Sequence, residues 1–136
     1  MRRAAVAFAV VALLAGCGGD RSPEDVVRAW SDALNADRNE AAADLFAADA
    51  AVVQGGRTIR LVTHADAVAW NSSLPCNGRI VALSENDGVV VAEFLLSDSQ
   101  TTPCDGPGQR VSAVFTVQDG KIVRWEQPQT APEPTV

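Results

Sequence analysis

Two Asp-Gly pairs, Asp87-Gly88 and Asp119-Gly120, constrain this chain more than anything else in it. Each separates two β-prone runs, and Asp-Gly is a tight-hairpin signature because both central residues of such a turn take φ > 0. The pairs predict strands over 79–84 and 89–97, and over 110–118 and 121–127. Gly55-Gly56, between 51–54 and 57–61, is a third hairpin signal. Alternation then sorts the side chains. Val90, Ala92, Phe94 and Leu96 share one face, as do Val111, Ala113, Phe115 and Val117, joined by Val123 and Trp125. The other face mixes Val91, Glu93 and Leu95 with Arg110, Ser112, Val114 and Thr116. One apolar and one half-polar face predict an α+β domain whose sheet carries helices on its apolar side.

Those helices are legible upstream. Ser22 is an N-cap candidate, Pro23 suits the first helical position, and Glu24 and Asp25 favour the first turn. Val26, Val27, Trp30, Ala33 and Leu34 follow at helical spacing, and Asn35-Ala36-Asp37 ends the helix. A second, shorter apolar stripe, Ala42, Leu45 and Phe46, predicts a second helix leading into a strand. Thr63 and Asp66 form a capping-box pattern that opens a third helix, with Ala67, Val68 and Trp70, failing before Pro75. With 136 residues and 47% hydrophobic composition, the chain supports one domain with a core. Its net charge of −6, with no Lys/Arg cluster beyond Arg2-Arg3, argues against nucleic acid as a partner.

The ALNA run at 33–36, together with Leu45-Phe46 and Asp49-Ala50, resembles the opening of the nuclear transport factor 2-like superfamily, which includes SnoaL-like cyclases and ketosteroid isomerases. The resemblance implies a cystatin-like cone, a curved mixed or antiparallel sheet wrapped on N-terminal helices, with a cavity inside. It also allows the isomerase pattern to be carried over. The isomerase's oxyanion tyrosine falls on Trp30, its general-base aspartate near Gln54, and its second oxyanion donor on or beside Ala113. None of the three is retained, and the chain has no tyrosine. Proton abstraction beside a carbonyl needs a base within reach and a donor at the oxyanion, so isomerase chemistry of that type is not expected.

Met1-Arg2-Arg3, the apolar run 4–15 and Leu14-Ala15-Gly16-Cys17 resemble a bacterial lipoprotein signal. That resemblance implies removal of 1–16, lipidation of Cys17 and a short tether over 17–21. Two or more acyl chains would hold the domain at the cell membrane or outer membrane, facing outward. Loss of 1–16 leaves nine basic against 17 acidic residues, a net −8. The domain proper is expected over 22–127, followed by a disordered Pro-rich tail over 128–136.

With Cys17 lipidated, Cys76 and Cys104 remain as a pair in an exported protein, and a structural disulfide is expected. A metal or redox pair is the competing reading, but there is no Cys-x-x-Cys spacing and no neighbouring His. His64, the sole histidine, is expected at the exposed edge of the third helix. Trp30, Phe46, Trp70, Phe94, Phe115 and Trp125 are candidate cavity walls or simply core, and Trp30 and Gln54 need polar partners if buried. No metal or cofactor is expected. The leading expectation is a non-catalytic module holding a small apolar ligand or docking an envelope protein. A hydrolase, isomerase or cyclase with an unrecognised cavity constellation is the alternative. A third possibility is a filled cone whose outer face, through Val91, Leu95 and Val114, makes a homodimer or another assembly.

Overall fold

The computed structural model describes residues 21–128. Three helices, α1 (Pro23–Asn35), α2 (Asn39–Ala43) and α3 (His64–Ser73), pack on a curved sheet of six strands. The strands are β1 (Phe46–Gln54), β2 (Arg57–Leu61), β3 (Cys76–Asn86), β4 (Val89–Asp98), β5 (Arg110–Gln118) and β6 (Lys121–Glu126). Their spatial order is β2-β1-β6-β5-β4-β3. Every pairing is antiparallel except β1 with β6, which run parallel and join the first hairpin to the later meander. The predicted α+β class is therefore observed, with a mixed sheet.

Local chemistry explains most boundaries. The Ser22 side chain accepts the Asp25 N–H at 3.2 Å, with Pro23 opening the helix behind it. At α3 the capping box is complete: Thr63 accepts the Asp66 N–H at 3.2 Å, and Asp66 accepts the Thr63 N–H at 3.1 Å. Thr63→Ala removes one of these two bonds and is expected to lower stability by about 1 kcal/mol in a urea titration; an unchanged midpoint would show that the cap contributes nothing. The three hairpin turns take the conformations their residues demand, with positive φ at Gly55, Gly56, Asp87, Gly88, Asp119 and Gly120.

Three expectations are corrected. Phe46 is not helical: α2 ends at Ala43, and β1 begins five residues before the predicted Ala51. The Leu45 carbonyl accepts the Ile122 N–H at 2.8 Å, so pairing with β6 draws this short apolar run into the sheet. Second, β3 begins at Cys76, three residues ahead of the predicted start. Third, Val123 does not join the inner face. The β5–β6 register shifts between Thr116 and Val117, and Ile122 is buried in its place while Trp125 keeps its side.

The core between helices and sheet is an aromatic cluster. Trp30 stands at its centre, stacked on Trp70 with ring centroids 6.5 Å apart and edge-on to Phe94 and Phe115 at 6.1 and 5.3 Å. Trp70 meets Trp125 at 4.9 Å and Phe46 at 5.7 Å. The outer face is less apolar than a continuous patch would be. Val91 is exposed and pairs with Val114, but Leu95 lies opposite Arg110, and the Arg110–Glu93 ion pair at 3.1 Å separates the two.

Candidate functional site

The cone retains an open cavity of about 190 Å³ on the inner side of the sheet. Its walls are mostly apolar: Trp30 and Leu34 from α1, Leu74 and Pro75 after α3, and Phe94, Leu96, Val111, Ala113 and Trp125 from the strands. The positions singled out from the sequence divide cleanly. Trp30, Gln54, Phe94, Ala113 and Trp125 line the cavity, and these include all three positions carried over from the isomerase pattern. Phe46, Trp70 and Phe115 lie in the core behind it.

The polar groups among the walls are few and largely committed. The Trp30 indole donates to Asn71 Oδ1 at 2.8 Å, and Asn71 donates onward to the Ala67 carbonyl at 2.8 Å. Gln54 donates to Gln127 Oε1 at 3.0 Å. The polar partners expected for both residues are thus supplied by the protein itself. Ser31 donates to the Gly78 carbonyl, while Asn35 brackets the same residue, donating to that carbonyl at 2.9 Å and accepting the Gly78 N–H at 3.0 Å. This clamp ties the end of α1 to edge strand β3, and Gly78 suits it: an added Cβ would stand 3.2 Å from Phe94. Asn35, Asn71, Gly78 and Gln127 carried no site signal in the sequence, because each acquires its role from a residue more than 40 positions away.

One wall group has no partner among the described residues. The Trp125 Nε1 is buried without a hydrogen bond, on a residue only 5% exposed.

Charged groups are sparse. Asp105, exposed, is the only ionisable side chain of the walls besides Cys76, which is bonded to Cys104 with sulfurs 2.00 Å apart. Cys76, Cys104 and Asp105 offer ligand atoms within 4.8 Å of one another, but two sulfurs bonded to each other supply no thiolate for a metal. Glu93 is paired with Arg110, and Asp66 is taken up by the cap of α3. His64 stands outside, its Nε2 2.8 Å from Asp44 Oδ1 and its Nδ1 4.0 Å from Glu40, at the exposed α2–α3 surface.

A SnoaL-like domain family profile matches residues 27–125, from the first buried turn of α1 to Trp125. The chain belongs to this family. No curated protein matches it. Among solved structures, this SnoaL-like domain is similar to a candidate polyketide cyclase from Sinorhizobium meliloti, at 20% identity and TM-score 0.64, covering 78% of this chain and 97% of that one. A candidate ketosteroid isomerase from Kribbella flavida aligns at 20% identity and TM-score 0.63 over 85% of this chain and 84% of its own. A hypothetical protein with a ketosteroid isomerase-like fold from Catenulispora acidiphila, solved with trimethylamine, aligns at 17% identity and TM-score 0.59, over 78% of this chain and 85% of its own. At these identities the likeness concerns the fold. Cys17, the lipoprotein-like signal and the Pro-rich tail beyond Pro128 lie outside the described residues; among those described, no helix is long and apolar enough to cross a membrane.

Proposed function

We propose that this SnoaL-like domain is a non-catalytic binding cone for a small, largely apolar molecule, held outside the cytoplasmic membrane by a lipid anchor on Cys17. The observation that carries the binding reading is the composition of the cavity walls. Nine of the sixteen wall residues are Trp, Phe, Leu, Pro, Val or Ala, and Gln54, near which the resemblance would place the isomerase base, lines the cavity with an amide. An apolar, preformed cleft with a few fixed polar groups is how proteins commonly hold small molecules. An amide cannot abstract a proton, so the cone gains binding where its resemblance would have placed chemistry. The names carried by the similar structures keep a cyclase or isomerase as the competing reading. The anchor rests on the Leu14–Cys17 segment and the apolar run before it.

Titration of the oxidised protein with indane, a compact neutral hydrocarbon, tests the binding reading by amide NMR. Saturable shifts at Leu96, Val111 and Ala113 are expected, and Leu34→Arg, which places a cation at the half-buried edge of the cavity, is expected to abolish them. Absence of saturable shifts would overturn it.

A further inference from the structure

Given the binding-cone reading, on which this step rests, the distribution of charge around the cavity bears on what the ligand carries. We propose that the occupant is a cationic amphiphile: a compact apolar body inside the cone, with one ammonium group at the mouth beside Asp105. Three observations converge on this. Asp105 is the one charged side chain among the walls, and it is exposed. Its Oδ1 stands 3.5 Å from the Sγ of Cys76, another wall residue, so the carboxylate lies beside the disulfide at the wet edge of the cavity. Second, a further carboxylate flanks the same disulfide. Asp98 alternates with Phe94 and Leu96 on β4, lies opposite Cys76 in the β3–β4 register, and accepts the Cys104 N–H at 2.8 Å. Neither Asp98 nor Asp105 has an ion-pair partner among the described residues, and Arg110, which opens β5, is taken up by Glu93 on the outer face. Third, the remaining wall groups offer an anion nothing. The walls hold no Lys, Arg or His, Gln54 is paired with Gln127, and Ser31 donates to the Gly78 carbonyl.

A cleft that carries one sign of charge between low-dielectric walls concentrates its field at the opening, and the net charge of −6 has the same sign. A carboxylate or phosphate entering here meets two carboxylates and no countercharge. An ammonium at the mouth keeps much of its water, so it escapes the penalty of burying a charge. Its apolar body fills a cavity of about 190 Å³, below the roughly 300–1,000 Å³ that holds drug-sized ligands. Asp105 is therefore the specificity-determining residue of the cone, separating an amine from a neutral or acidic molecule with the same ring.

The test compares three ligands sharing one ring system: indane, protonated 2-aminoindane and indane-2-carboxylate, on the oxidised protein and on Asp105→Asn. The substitution keeps the size of an exposed side chain and removes its charge, so the core is untouched. In the unsubstituted protein the ammonium is expected to bind tightest and the carboxylate weakest. Each protein is scored by its own ammonium-to-indane affinity ratio, which cancels any packing loss common to both ligands. An exposed ion pair is a weak one, so the ratio is expected to fall about fourfold in Asp105→Asn. Added salt is expected to shrink the ratio in the unsubstituted protein. A ratio unchanged by the substitution or by salt, or tightest binding by indane or the carboxylate, would overturn the ligand assignment while indane binding kept the cone reading intact. No binding by any of the three would overturn the cone reading itself, and this assignment with it.

Discussion

Trp30→Ala is expected to lower the unfolding free energy by about 4 kcal/mol, the range measured when a large aromatic side chain is deleted from a core. The residue is 4% exposed and has aromatic neighbours on several sides, Trp70, Phe94, Phe115 and Trp125. Those rings come from α3, β4, β5 and β6, so no single element can shift to fill the space left behind. The deletion also strands Asn71 Oδ1, buried with the rest of its side chain at 1% exposure. Trp30→Phe separates the two losses: it keeps much of the packing and removes the donor, and is expected to cost about 2 kcal/mol. Urea titration of the three proteins measures both steps. A Trp30→Ala cost under about 1 kcal/mol would show that the cluster is not the keystone of the cone.

The second large effect belongs to the Cys76–Cys104 bond, which closes a loop with a sequence separation of 28 residues. In the chain-entropy model such a loop is worth about 3.5 kcal/mol, since the open chain gains conformations that the closed one lacks. For a domain of this size that corresponds to a fall of roughly 15 °C in melting temperature. The Cys76→Ser/Cys104→Ser double variant is the measurement, with intact mass confirming two hydrogens missing from the native protein. The bond has a second consequence. Cys76 lines the cavity, and the loop carrying Cys104 also carries Asp105, another wall residue, so the variant is expected to bind indane more weakly as well. Equal melting temperatures would sink the structural reading of the disulfide.

The sequence foretold those parts of the fold whose causes are local. The Thr63–Asp66 box, the Ser22 cap and the three positive-φ hairpins depend on residues within a few positions of one another, and all appear where their chemistry requires. The inner-face alternation on β4 and β5 was equally readable. Reading failed where a distant partner decided the matter. Phe46 sits in a run too short to tell strand from helix, and only pairing with β6 made it a strand. The bulge that exchanges Val123 for Ile122 cannot be inferred from one strand alone. Trp30, Gln54 and Ala113 were brought to one cavity by resemblance, whereas the partner of Trp30 and the unpaired donor of Trp125 emerged only from the packed structure.

The parallel contact between β1 and β6 also dictates when the protein can become itself. Val52 lies opposite Trp125, 73 positions later in the chain. Until β6 has been synthesised, the β1–β2 hairpin has no neighbour on its inner edge, and Trp30 and Trp70 lack the ring that closes their cluster. A nascent chain short of its last described strand holds two incomplete fragments, because a lone hairpin is at best marginal in water. The last described strand is thus a keystone laid late: in one step it joins the β1–β2 hairpin to the β3–β5 meander and supplies the ring that completes the aromatic cluster.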